Sequence, residues 1–134
     1  MTPLVVLKRF LELVFSGDLD AATALVAESA EFVAGPAAGH PRVALYGRYL
    51  GPDGAKEMFG QFAKLLEPGE FIVNGALCDS ETAVMHGQLR HRVRATGRTF
   101  SSSWALIAKV RQEQLIAYEF HEDTAALVDA VTYP

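Results

Sequence analysis

Residues 104–127 read WALIAKVRQEQLIAYEFHEDTAAL. Apolar-rich runs on either side of Arg111–Gln114 have the look of two long strands joined by a polar turn. Alternation assigns their faces. On the second strand, Leu115–Glu122, Ile116, Tyr118, Phe120 and Glu122 share one face. Ala117, Glu119, His121 and Asp123 share the other. On the first, Phe100–Val110, the residues Phe100, Ser102, Trp104, Leu106 and Ala108 lie together. Asp123 precedes Thr-Ala-Ala-Leu, so its expected role is the N-cap of a terminal helix.

Upstream, Phe71–Leu77 and Thr82–Arg94 read as two more strands, with turns at Cys78–Glu81 and Ala95–Arg98. In the longer one, Met85, Gly87, Leu89, His91 and Val93 alternate with His86, Gln88, Arg90, Arg92 and Arg94. The first set is expected to face inward. The second is a basic stripe, expected on a solvated or dimer-facing surface and paired with Glu113 or Glu119.

The N-terminal half is helical in pattern. Thr2-Pro3 is an N-cap followed by proline at the first helical position. Leu4, Leu7, Leu11 and Val14 then recur at helical spacing up to Gly17. Asp18 is expected to cap a second helix carrying Leu19, Ala22, Leu25 and Val26, before a short strand at Glu31-Phe32-Val33. Gly35–Gly54 reads as an irregular loop with His40, Arg42, Tyr46, Arg48 and Tyr49, either a pocket lip or a plain connection. Asp53 is expected to cap a third helix with Ala55, Met58, Phe59, Phe62, Leu65 and Leu66 on one face, stopped by Pro68-Gly69. Three helices followed by a curved antiparallel sheet make an α+β chain.

The 134 residues suit a single domain, 1–134, and half of them are hydrophobic, enough for a sizeable core. A net charge of −4 argues against nucleic acid and anionic membrane surfaces as partners. Cys78 has no second cysteine to bond with, so a reducing cytoplasm is expected. Met1-Thr2-Pro3-Leu4 lacks the basic start of a secretory leader. His86 and His91 point to opposite faces, and no CxxC or HxxxH is present, so no metal is expected. Neither GPAAG nor GPDG has the strand–loop–helix setting of a phosphate loop, and no cofactor is expected.

In this layout FLELVFSGDLDAATALVAESAEF (Phe10–Phe32) resembles the opening of ketosteroid-isomerase-like proteins. LYGRYLGPDGAKEMF (Leu45–Phe59) is similar to the loop and third helix of the wider group. TGRTFSSSWALIAKV with LIAYEFHEDTAAL resembles the last two strands of SnoaL-like members of the nuclear transport factor two superfamily. The resemblance implies a cone-like α+β barrel whose open end is a pocket, and often a homodimer through the convex sheet face. Function does not follow from that fold.

The resemblance also places the family's chemistry residue by residue. A steroid isomerase uses a carboxylate base with a tyrosine and a protonated aspartic acid as oxyanion donors, a pairing known from ketosteroid isomerase itself. Those positions fall here at Ala34-Gly35-Pro36, Phe10 and near Leu106, none of which can act. The last-strand aspartate of the epoxide hydrolases falls near Phe120, which cannot activate water. Neither activity is expected. The implied pocket faces are those of Tyr118 and Leu106. Tyr49, Phe59, Met85, Trp104, Leu106 and Phe120 are therefore the expected ligand-binding side chains. His91, Tyr118 and Glu122 are the expected acid–base groups, with His91 as general base or acid. The expected ligand is a small hydrophobic carbonyl, polyketide-like or terpenoid compound. The alternatives are a ligand carrier without catalysis, and a dimeric interaction module whose rings fill the barrel.

Overall fold

A computed structural model describes residues 1–134. The first helix, α1 (Pro3–Phe15), starts as expected, with the Thr2 hydroxyl accepting from the Val5 N–H. It buries Val6, Leu7, Phe10 and Leu11. Gly17, in the left-handed region at φ 85°, turns the chain into α2 (Leu19–Thr23), capped by Asp18. This helix ends before Leu25 and Val26, shorter than predicted. Val26 instead opens β1 (Val26–Ala34), nine residues long rather than three. The reason is tertiary: Val26 pairs with Leu115, 89 residues away, and the Leu115 N–H donates to the Leu25 carbonyl.

The predicted loop Gly35–Gly54 contains a further strand, β2 (Gly47–Leu50). The third helix, α3 (Gly51–Leu65), then begins earlier than expected. Leu50 is its N-cap and makes no side-chain bond, while Asp53 lies inside the first turn. Pro68-Gly69 does not stop it. The helix gives way at Leu66 to β3 (Leu66–Cys78), and Pro68 and Gly69 fall in a bulge within that strand, where pairing with β4 slips between Glu67 and Glu70.

The C-terminal half follows the alternation closely. The strands are β4 (Thr82–Val93), β5 (Thr99–Arg111) and β6 (Gln114–Glu122). A fourth helix, α4 (Thr124–Thr132), is capped by Asp123, whose carboxylate accepts from the Ala126 N–H at 3.1 Å. The sheet order is β2-β1-β6-β5-β4-β3. Neighbours are antiparallel except β1 and β6, which are parallel, so the sheet is mixed. It is curved and remains open, with β2 and β3 as its edges, rather than closing into a barrel.

Helices α1 and α3 lie in the hollow of this sheet. An aromatic cluster marks the seam. Phe10 sits 5.8 Å from Phe32 and from Phe59 and 5.9 Å from Tyr118. Phe32 and Tyr118, register partners on β1 and β6, stack at 4.6 Å. The inner face of β4 is Met85, Leu89, His91 and Val93, all buried as the alternation requires. On its outer face, Arg90 stands opposite Glu70 and Arg92 opposite Glu67, both on β3. The predicted partners lie elsewhere: Glu113 meets the N-terminal ammonium and Glu119 sits beside His121.

Candidate functional site

Between the helices and the sheet lies a cavity of about 630 Å³, large enough for a drug-sized molecule. Fifteen of its twenty lining residues are hydrophobic, so the polar minority decides its chemistry. The polar side-chain groups in that lining are the His91 imidazole, the Glu122 carboxyl and the hydroxyl of Tyr118, a residue otherwise apolar, and no lysine or arginine joins them. Phe59 and Phe62 of α3, Phe71 of β3 and Phe120 of β6 supply flat aromatic wall.

Glu122 ends β6 on the inner face, one residue before the cap of α4. Burial pushes its carboxyl up to about 7, and the neighbouring charge of Asp123 adds to the rise. The Tyr46 hydroxyl opposes this by donating to Oε2 at 3.2 Å. Tyr46 is itself driven well above the ordinary tyrosine range by burial first and by Glu122 second, so it remains a donor. Its ring lies against Gly35, which has φ 58° and no Cβ; a Cβ there would stand 2.5 Å from Tyr46 Cδ1.

Tyr118 is buried, which raises its pKa. Its hydroxyl has no protein partner yet is not sealed in; Trp104 Nε1 is the one sealed side-chain polar atom without a partner. His91 is buried too, and desolvation holds its pKa below the ordinary value, opposed in part by the Arg90 backbone. Its Nδ1 accepts from the Gly69 N–H at 3.0 Å.

Of the side chains proposed from sequence, His91, Tyr118, Glu122, Phe59 and Phe120 line the cavity. Tyr49, Met85, Trp104 and Leu106 do not. Strand parity had the right face for the last three but not the depth. Met85 and Leu106 are register partners buried in the sheet–helix core. Trp104 lies behind Phe71 and Phe120, stacked on them at 4.4 and 5.6 Å. Tyr49 is spent on structure, donating to the Leu45 carbonyl at 2.8 Å. Tyr46 is among the residues of the possible pocket lip but not among the expected site residues, and neither is Gly69. Tyr46 carried one signal, its place in the aromatic loop after Gly35-Pro36. Gly69 was read as a helix stop.

The sequence profile of the SnoaL-like domain matches residues 7–118. No curated protein matches the chain by sequence. Among solved structures, an NTF2-like protein from Burkholderia xenovorans LB400 superposes with a TM-score of 0.86 at 22% identity, covering 96% of this chain and 95% of that one. A protein of ketosteroid-isomerase-like fold from Catenulispora acidiphila, in complex with trimethylamine, gives 0.76 at 11% identity over 100% and 96%. TerC, co-crystallised with polyporic acid, gives 0.74 at 19% identity over 96% of each chain.

Proposed function

The chain belongs to the SnoaL-like domain family, and from that premise we propose that its cavity holds an uncharged hydrophobic small molecule and performs acid–base chemistry on it. The observation that carries this is Glu122, a carboxyl facing an apolar cavity and poised near pH 7. At that pH it is present in both forms, so it can take a proton from carbon beside a carbonyl and return one. Tyr118 adds a hydroxyl that stays protonated, and His91 a neutral imidazole. Phe59 and Phe120 hold the flat body of a polyketide-like or related carbonyl compound. The polyporic acid complex of TerC, a fold relative, is consistent with a ligand of this kind. Ketosteroid isomerisation is not proposed: Phe10 is packed among Phe32, Phe59 and Tyr118 and has no hydroxyl to offer.

A second reading is a carrier that binds without turnover. It is favoured by the single carboxyl in the lining, since no second acid stands ready to relay a proton. In either case we infer a cytoplasmic homodimer. Ile72, Val73 and Leu77 of the edge strand β3 are 46%, 44% and 62% exposed, apolar side chains along an open sheet edge that a second copy could cover. The exposed thiol of Cys78 fits a reducing compartment.

The test is a thermal-shift screen of neutral aromatic ketones and quinones, followed by deuterium exchange at the carbon beside the carbonyl of each hit. Binding by wild type and Glu122→Gln, with exchange only in wild type, is the expected result. Binding without exchange in either protein leaves the carrier. No binding from the whole set overturns the pocket reading.

A further inference from the structure

The His91 imidazole is held in one tautomer by the backbone. Its Nδ1 accepts the Gly69 N–H, and a nitrogen that accepts from an N–H keeps its lone pair and carries no proton. The proton of the neutral ring is then on Nε2. The contact is built into the sheet. Gly69 stands in the β3 bulge, and a Cβ there would collide with the Arg90 carbonyl oxygen, so only glycine brings its N–H this close. Phe62 packs perpendicular to the ring, centroids 5.4 Å apart at 89°, and limits its rotation. Nε2 has no protein partner and is not among the sealed atoms, while the residue lines the cavity. Burial favours the uncharged form and outweighs the opposing pull of the Arg90 backbone, which keeps the arrangement in place at neutral pH.

We propose that His91 is a fixed Nε2–H donor that selects ligands bearing a carbonyl or ether oxygen and orients them against Glu122. The proposal rests on reading the cavity as a small-molecule site. The one free lone pair of the neutral ring already belongs to Gly69, so His91 is a specificity residue and not a general base. It also addresses a different ligand atom from Glu122. His91 pairs with Phe100 and Glu122 with Trp104, four residues further along β5, roughly 13 Å of strand contour. An elongated ligand fits, with an acceptor at the His91 end and its reacting carbon at the Glu122 end. An ammonium group at the His91 end would meet another donor and is disfavoured.

Two measurements test this. The first is the ring nitrogen spectrum of ¹⁵N-labelled wild type at neutral pH, with the Nε2–H tautomer expected. A ring protonated at Nδ1, or a tautomer mixture, overturns the proposal. The second compares two probes of matched size with a trigonal carbon on the ring, 2-acetylnaphthalene and 2-isopropenylnaphthalene, in which C=CH2 replaces C=O. Wild type is expected to favour the ketone by about tenfold, the worth of one hydrogen bond. His91→Gln, which retains an N–H donor, should keep part of that preference, and His91→Leu should lose it. Equal affinity of wild type for the two probes overturns the donor role while leaving the pocket intact. So does a ketone preference that survives in His91→Leu. Failure of both probes to bind wild type overturns the pocket reading and the proposal together. If His91→Leu does not fold, the tautomer and the wild-type probe ratio still decide.

Discussion

The Tyr46 hydroxyl donates to Oε2 of Glu122 across 3.2 Å, tying the loop after β1 to the last residue of β6. The bond stabilises the ionised carboxylate and so works against burial. Tyr46→Phe is therefore expected to move the Glu122 pKa upward from about 7. A carboxyl ¹³C titration reads this directly. An unmoved or lowered value would show that the hydroxyl is not the partner in solution.

Glu122 also gives stability a defined pH dependence. Its folded pKa, about 7, lies above the ordinary 4.5, so the fold favours the protonated form. The stability this contributes is fully present below about pH 4.5 and is lost as pH rises through about 7. His91 acts with the opposite sign. Its depressed pKa contributes stability above 6.5 that is lost as pH falls through the folded value. Comparing wild type with Glu122→Gln cancels the His91 part, since both proteins keep that residue. The difference in unfolding free energy, from urea melts, should shift steadily against wild type from pH 4.5 to 7 and then level off. A flat difference would place Glu122 in water.

Gly35 supports this pair from behind. Alanine there would meet the Tyr46 ring and would also have to hold φ 58°. Left-handed backbone costs roughly 1–2 kcal/mol in a residue with a Cβ, and the steric conflict adds a similar amount. Gly35→Ala should lose about 2–4 kcal/mol in denaturant unfolding. A loss under 0.5 kcal/mol would mean that the loop relaxes freely and does not fix Tyr46.

The strands from Thr82 to Glu122 were legible because each buries one face, so alternation records it residue by residue. The same parity turned His91, Tyr118 and Glu122 inward. Depth was not legible. Met85, Trp104 and Leu106 point the same way, but which inward residues reach the cavity depends on where α1, α3 and Phe71 cover the sheet. The start of β1 was hidden because its partner is Leu115, and β2 because it hydrogen-bonds only to β1. Gly69 looked like a helix stop because a bulge and a helix end ask for the same residue.

Trp104 carries an unusual cost. Its indole N–H is buried without a partner, and its ring stacks on Phe71 and Phe120. An unpaired buried donor costs about 1–3 kcal/mol, comparable to what a small residual cavity would cost in its place. Trp104→Phe should therefore change stability by under about 1 kcal/mol, less than a typical large-to-small core change. A loss above 3 kcal/mol would show that the N–H is satisfied in solution by a partner such as water. As the chain's single tryptophan, Trp104 also reports directly on occupancy next to Phe120 through its fluorescence.

The turn between β5 and β6 departs from local preference at two adjacent residues. Arg111 pairs with Gln114, which leaves a two-residue loop, Gln112-Glu113, at φ 53° and 62°. Two left-handed residues are what a type I′ hairpin turn demands, because that turn matches the right-handed twist of its strands. Asn-Gly meets the demand at low cost, whereas glutamine and glutamate carry the Cβ penalty. The compensation visible at Glu113 is its bond to the N-terminal ammonium at 3.2 Å, an exposed pair worth little. Gln112→Asn combined with Glu113→Gly is thus expected to stabilise the fold by about 1 kcal/mol, with the gain visible in the midpoint of urea unfolding. Probe affinity should not change, because Glu122 lies at the opposite end of β6 from the turn. A loss of stability would mean that the Glu113 contact outweighs the backbone strain, and that the N-terminus is held by more than an ordinary surface ion pair.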